Sequence, residues 1–290
     1  MAGDEDGCPV TEKYEYRGMI AQAWDLLRGD YSTWPDRPFW RGIIERQDGP
    51  ALDVGCGTGR LLLDYLAAGL DVDGVDNSPE MLAVCREKAA AAGVDVAGRL
   101  FEQSMDALDL PRRYATIFVP SLSFQLLTDL GAARSALTRF LEHLTPGGVL
   151  VASFKVRLWP GRRTPPQMEW SDWFKLAEAQ RPEDGLLVRR WVRGMYDHEQ
   201  QLEHEENRYE LMRAGQVIET ENHSRSPCVR WWTLDQALAA FEQAGFADVR
   251  ATSGDTHEPA SSEDNLFKVW GARPQALKFS FRPGRGQRHL

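Results

Sequence analysis

Apolar positions in the first half of the chain fall alternately into short runs and helical spacings. Leu52–Val54, Val72–Val75 and Tyr114–Val119 are runs of strand length, with a further short strand near Ala97–Glu102. Helical spacing covers 58–68, then a stretch opening at Ser78 with Pro79 first and Glu80 behind it, an N-cap arrangement. A third helix is predicted over 131–144, closing at Pro146-Gly147-Gly148 before the strand Val149–Phe154. Strands alternating with helices predict a parallel sheet covered on both faces. Near the C-terminus, Thr233–Ala244 reads as an amphipathic helix ending at Gly245. Ala247–Ala251 and Leu266–Ala272 then supply two closing strands.

Two segments stand outside this alternation. From Lys13 to Gln47 the spacing is helical and rich in aromatics, including Tyr14, Tyr16, Trp24, Trp34, Phe39 and Trp40, and Pro35 and Pro38 divide it. Between Lys155 and Trp232 lies an insertion that the alternating core does not need. Its start, with Pro160, Pro165 and Pro166, reads as loop, followed by a helix near 171–180. Leu187–Asp197, Gln201–Arg213 and Gln216–Arg230 then alternate as strands, with Gly194 marking a bend and Ala214-Gly215 a tight turn. The expected organisation is a flexible 1–12, a core with helical cover over 13–154, an antiparallel lid over 155–232, the rest of the core over 233–273, and a basic flexible tail over 274–290.

Composition narrows the function. With 290 residues, 42% of them hydrophobic, the chain can bury a substantial core. A formal charge of −9 argues against a broad nucleic-acid surface. Cys8, Cys56, Cys85 and Cys228 show neither a disulfide framework nor zinc-ligand spacing. No apolar leader opens the chain and no apolar run approaches membrane-spanning length, so the expectation is a soluble, cytoplasmic protein with no membrane partner. A homodimer stays open.

The candidate chemistry sits in Ala51-Leu-Asp-Val-Gly-Cys-Gly-Thr-Gly-Arg60. A strand carrying Asp53 runs into Gly55, Gly57 and Gly59, where the backbone can turn sharply and a ligand can approach closely. The helix start behind them offers unpaired N–H groups to an anionic group, which suggests a nucleotide-like cofactor. The next strand also ends in an acid, Asp76, at the distance where a βαβ unit holds a ribose diol.

Asp53 with the glycines, followed by Asp76, resembles motifs I and II of the class I S-adenosylmethionine-dependent methyltransferases, of the small-molecule type. A dinucleotide enzyme more often carries G-x-G-x-x-G. The resemblance covers about residues 50–155 and resumes at the C-terminal strands. It implies an α/β, Rossmann-like sheet of seven strands, S-adenosyl-L-methionine as cofactor, and in-line transfer of its methyl group. A nicotinamide-dependent oxidoreductase and a non-catalytic adenosylmethionine-binding module are the two rivals.

Residue roles follow from the resemblance. Asp53 would brace the loop and meet the methionine ammonium, and Asp76 would hold the ribose, with Asn77, Ser78 and Met81 bordering ribose and adenine. Ser104 stands where the family carries an acid near the adenine amino group, so Ser104 with Met105, or Asp106, would serve there. Val119, Pro120 and Ser121 would line the methionine portion, with Ser123 and Gln125 facing the acceptor. The Asn/Asp-Pro-Pro-Tyr/Phe motif of base and glutamine methylation is absent after the fourth strand, where Phe118-Val-Pro-Ser-Leu-Ser-Phe-Gln125 stands instead. The catalytic candidates are Tyr14, Gln125, His198 and His223, with His204 and His257 as further bases and His143 as a structural residue. His198 and His204 with Glu203 and Glu205 could suggest a metal, but strand alternation splits them between faces, so none is expected. The tryptophans of the insertion, Trp159, Trp170, Trp173, Trp191, Trp231 and Trp232, would mostly pack a lid with little core of its own, with one or two walling a pocket. The acceptor is expected to be a small molecule, an amine or hydroxyl of natural-product or amino-sugar type. Nitrogen, oxygen and carbon acceptors are not separated by these residues.

Overall fold

In the computed structural model, which describes residues 16–156 and 168–275, seven strands form one twisted sheet. They are β1 (Ala51–Val54), β2 (Val72–Asp76), β3 (Leu100–Glu102), β4 (Tyr114–Val119), β5 (Leu144–Lys155), β10 (Ala247–Ser253) and β11 (Leu266–Ala272). Their order is β10-β11-β5-β4-β1-β2-β3. β1 to β5 pair in parallel, while β11 runs antiparallel to β5 and to β10. The strand order reverses beside β1, which is where an open α/β sheet leaves a crevice for a ligand. The expectations for Tyr14, Trp159, the Pro160–Pro166 loop and most of the two terminal segments fall on residues outside those described.

Helices α4 (Leu62–Ala67), α5 (Pro79–Ala92), α6 (Leu130–His143) and α7 (Leu234–Gln243) flank the sheet. Their starts are capped as their sequences dictate. Ser78 Oγ accepts from Met81 N, Asp129 accepts from Ala132 N, and Thr233 with Gln236 forms a reciprocal capping box. α4 starts four residues later than the helical spacing suggests, because 58–61 is still occupied by the turns that close the glycine loop.

The strands alternate their side chains between two cores. On one face Val54, Val119, Phe124, Phe154, Trp232, Phe241 and Phe267 pack together, and Phe154 stacks on Phe267 at 5.5 Å. On the other, Phe118 and Val151 meet Leu62, Tyr65, Trp40 and Ile43. Those last two belong to α3 (Asp36–Glu45), which follows the short α1 (Met19–Gln22) and α2 (Trp24–Arg28). His143 is structural, as expected: its Nε2 accepts from Leu110 N at 3.0 Å.

The insertion is a second sheet of four antiparallel strands, β6 (Phe174–Gln180), β7 (Leu187–Asp197), β8 (Leu202–Arg213) and β9 (Gln216–Arg230). β6 corrects the helix expected near 171–180. Its Lys175 and Glu178 have helical spacing, but the edge of β7 captures the segment by ladder pairing from Phe174 with Val192 to Gln180 with Leu187. Gly194 does not bend β7 either; it sits in register opposite Glu205. Ala214 and Gly215 take φ of 46° and 80° and make the expected tight turn.

The two faces of this sheet differ. Trp173 and Trp191 interleave with Arg193 and Arg208 on the outer face, so these rings do not wall a pocket. On the inner face Val188, Tyr209 and Leu211 form a third core with Met19, Ile20 and Ala23. The insertion and the first two helices therefore pack as one body.

Phe154 touches Phe124, Trp232, Phe241 and Phe267 and is fully buried. Phe154→Ala is expected to lower stability by about 3–5 kcal/mol, read by urea denaturation.

Candidate functional site

The carboxyl ends of β1, β2 and β4 meet at the glycine loop. Gly55 N and Cys56 N both donate to Val75 O, which pins the loop against β2. Gly55 has φ 72°, and a Cβ there would lie 2.6 Å from Ser123 Oγ, so only glycine fits between β1 and the turn after β4. Asp76 completes the loop: Oδ2 accepts from Gly57 N at 2.8 Å and Oδ1 from Ser78 N at 2.9 Å. Burial raises its pKa, opposed by these backbone donors. The Asn77 backbone is a third donor to the same carboxylate.

Asp53 is 1% exposed, and its Oδ1 has no hydrogen-bond partner. Burial raises its pKa to about 8, with Arg60 opposing and Asp76 and Asp36 adding to the rise. A buried carboxylate oxygen without a donor is unfavourable unless a donor or cation arrives. The ammonium of an amino-acid ligand meets that need. Met81 and Val119 are buried beside the loop, whereas Asn77 is exposed. Ser104 and Met105 open the turn after β3, and the Ser104 hydroxyl donates to Asp106. The serine and the acid that sequence treats as alternatives are joined.

The N-terminal segment lies over this crevice and is fastened to it by polar contacts. Thr58 Oγ1 donates to Asp25 at 2.8 Å, and Lys88 reaches Asp25 at 2.6 Å and the Tyr31 hydroxyl at 2.9 Å. Arg60 pairs with both oxygens of Asp36, at 2.9 and 2.6 Å. Ser78 Oγ donates to Tyr16 O, and Gly18 N donates to Glu80 Oε2 at 2.6 Å. Sequence reading assigned none of these contacts to Asp25, Asp36, Arg60, Glu80 or Lys88. Their only signal is a charge at each site, and the pairing spans up to 63 positions. A cavity of about 380 Å³ lies beside the α2–α3 connection, lined by Asp25, Gly29, Tyr31, Arg37 and Arg60 among others.

Strand β9 crosses above the same strand ends. At one side Glu221 Oε2 accepts from Met19 N at 2.9 Å. At the other, Arg225 donates to Leu126 O and Arg230 to Thr128 O, both at 2.7 Å. Glu221, His223 and Arg225 share the inner face with Tyr209, since alternate residues of a strand face one way. His223 has a side chain 9% exposed, with Nε2 2.5 Å from Glu221 Oε1, off the line of a well-formed hydrogen bond. Its ring stands edge-on to Tyr209 at 5.8 Å. Burial lowers its pKa, against the pull of Glu221, so the imidazole is neutral at pH 7.

Other expected residues are elsewhere. Gln125 does not face an acceptor: its amide hydrogens go to Lys155 O at 3.1 Å and Arg230 O at 3.0 Å, and its oxygen accepts from Lys155 N at 2.8 Å. It is a buried bracket between β5 and β9. His198 lies in the β7–β8 turn, stacked on Tyr196 and apart from the Glu221–Arg225 row. His204 bonds Ser226 at 2.6 Å, and His257 packs on Phe39 and Trp270.

With this geometry in place, residues 51–148 match the family model described as a methyltransferase domain. The demethylmenaquinone methyltransferase of Thermus thermophilus is 34% identical over 138 residues, 46% of this chain and 60% of that protein. The dTDP-3-amino-3,6-dideoxy-α-D-glucopyranose N,N-dimethyltransferase of Streptomyces fradiae is 29% identical over 47% of this chain and 53% of its own length. The chain spans 40 to 60% of the length of the first curated relatives it matches. The solved CcbJ methyltransferase of Streptomyces caelestis shares the fold, with a TM-score of 0.67 and 20% identity over 89% of this chain and 96% of that one.

The Asp53 carboxyl carries a testable consequence. Its folded pKa, about 8, lies above its unfolded value, so the folded state holds a proton that the unfolded state has released. Stability therefore falls as pH rises from about 4 to 8, by up to about 1.4 kcal/mol per pH unit from this group. In Asp53→Asn that slope is expected to disappear, measured as urea midpoints across this range.

Proposed function

We propose that the chain is a class I S-adenosylmethionine-dependent methyltransferase, on its match over residues 51–148, and that it methylates a small polar acceptor, an amine before a hydroxyl. The observation that carries this reading is the path of β9, which carries Glu221, His223 and Arg225 across from the start of α1 to the turn after β4. A roofed crevice suits a small acceptor, because closure keeps water from the reacting atoms.

S-adenosylmethionine supplies an electrophilic methyl group on a sulfonium. Asp53 would meet its ammonium, Gly55, Gly57 and Gly59 would admit the methionine portion, and Asp76 would accept from the ribose hydroxyls. Met81 and Met105 would border the adenine, with Ser104 and Asp106 at its amino group and Val119 behind the methionine portion. His223, neutral at pH 7, can take a proton from the acceptor. Around it two acids, Glu221 and Glu80, outnumber one cation, Arg17, which favours an ammonium over an anion. An amine bound in that form must lose one proton before its nitrogen can attack. The acceptor in the name of the Streptomyces fradiae relative, an amino sugar, agrees with this choice. Neither the nicotinamide-dependent reading nor the non-catalytic one gains support from the fold or the relatives.

The direct experiment follows S-adenosylhomocysteine release with dTDP-3-amino-3,6-dideoxy-α-D-glucopyranose and a panel of amino sugars and phenols. N-methylated product is expected, and methylation confined to oxygen would overturn the nitrogen assignment. Calorimetry tests the cofactor assignments. An arriving ammonium favours the Asp53 carboxylate, so binding at pH 7 should release up to about one proton, seen as heats that depend on the buffer. Asp53→Asn should abolish this release. Asp76→Ala should weaken S-adenosylmethionine about 10- to 150-fold, the worth of charge-assisted bonds of roughly 1.5–3 kcal/mol. Unaltered affinity would remove Asp76 from the site.

A further inference from the structure

Glu221 makes three approaches with one carboxylate. Oε2 accepts from Met19 N at 2.9 Å, Oε1 lies 2.5 Å from His223 Nε2, and the group passes so close to Gly18 that a Cβ there would sit 2.1 Å from Oε1. Gly18 has φ 53° and donates its own N–H to Glu80 on α5. The segment before α1 is thus clamped between an acid on α5 and an acid on β9. We propose that Glu221 is a positioning residue that seats the Tyr16–Met19 segment and orients His223 as proton acceptor, so that the base is complete only when the segment is down. The proposal rests on the methyl-transfer reading above.

Chemistry favours this arrangement. A carboxylate beside Nε2 selects the tautomer with its proton there, which leaves the Nδ1 lone pair to accept. His223 would take one proton from an acceptor ammonium. The freed nitrogen lone pair bonds the methyl carbon as the carbon–sulfur pair stays on sulfur, and the imidazolium later gives its proton to water. The charged and titratable groups around the ring are Glu221 from β9, Tyr209 from β8, Arg17 from the N-terminal segment and Glu80 from α5. Burial and Arg17 disfavour the imidazolium, and the two glutamates favour it. Removing the Glu221 charge therefore lowers the His223 pKa further. Displacing that charge without removing it should do the same, which Gly18→Ala tests, because the new Cβ takes the carboxylate's place.

The test uses the full chain and three readouts. The first is the His223 titration by ¹H–¹³C NMR, the second amide exchange at Met19, and the third S-adenosylmethionine affinity by calorimetry. Wild-type His223 should titrate below 6.5, the ordinary value. Glu221→Ala should move the titration lower and speed Met19 exchange roughly tenfold or more, as loss of a charge-assisted bond implies. Glu221→Gln should lower the titration while its amide oxygen keeps the Met19 bond and slow exchange. Gly18→Ala should move both readouts in the direction of Glu221→Ala. In all three, S-adenosylmethionine affinity should stay within about threefold, since none of these groups is assigned to the cofactor. With dTDP-3-amino-3,6-dideoxy-α-D-glucopyranose as acceptor, the acid limb of kcat should follow each NMR value. A His223 titration indifferent to Glu221→Gln and Glu221→Ala overturns the proposal, as does unchanged Met19 exchange in Glu221→Ala. A wild-type chain that does not bind S-adenosylmethionine overturns the methyl-transfer reading instead, and the NMR arm tells the two failures apart.

Discussion

The Asp76 carboxylate, buried at the end of β2, accepts from Gly57 N and Ser78 N, and the crevice is arranged around that pair of bonds. Burying a carboxylate opposes its ionisation, and backbone donors from two directions offset part of that penalty. One donor lies in the glycine loop and the other at the mouth of α5, so a single side chain fixes the spacing between them. That spacing in turn sets where Met81 lies against the loop and where the Ser78 hydroxyl can reach Tyr16 O. Asp76 is therefore a builder of the loop. Asp53 differs: it shares the burial but has an oxygen without a donor, and it is the group left poised for a ligand.

Above this rigid floor, the covering elements are held differently. Apolar packing joins α1 and the lid strands to each other through Met19, Ile20, Val188 and Tyr209. Contacts from the α1–α2 segment down to the floor are charged or polar, made by Asp25 with Thr58 and Lys88 and by Gly18 N with Glu80. Ion pairs at partly exposed positions contribute little each and weaken with salt, while buried apolar contacts persist.

Much of the floor was legible in sequence because its signals are local. The strand–glycine–helix order, the Ser78 cap and the amphipathic helix from Thr233 each depend on neighbours within a few positions. The helix expected near 171–180 is a strand because β7 pairs with it, and that partner leaves no signature within the segment. Gln125 looked exposed to an acceptor for the same reason: the backbone groups that consume its amide lie 30 and 105 positions away. Of the histidines, His223 and His198 were equal candidates in sequence. Only the crossing of β9 over the strand ends distinguishes them.

The cavity of about 380 Å³ beside the α2–α3 connection gives that short link room to flex. α3 is locked into the core by Trp40 and Ile43, while α2 travels with the lid. The link from Gly29, at φ 69°, to Trp34 thus joins a helix packed in the core of the large sheet to one packed against the insertion. Salt is therefore expected to loosen the fastenings of α2 to the floor while its apolar packing against the insertion holds.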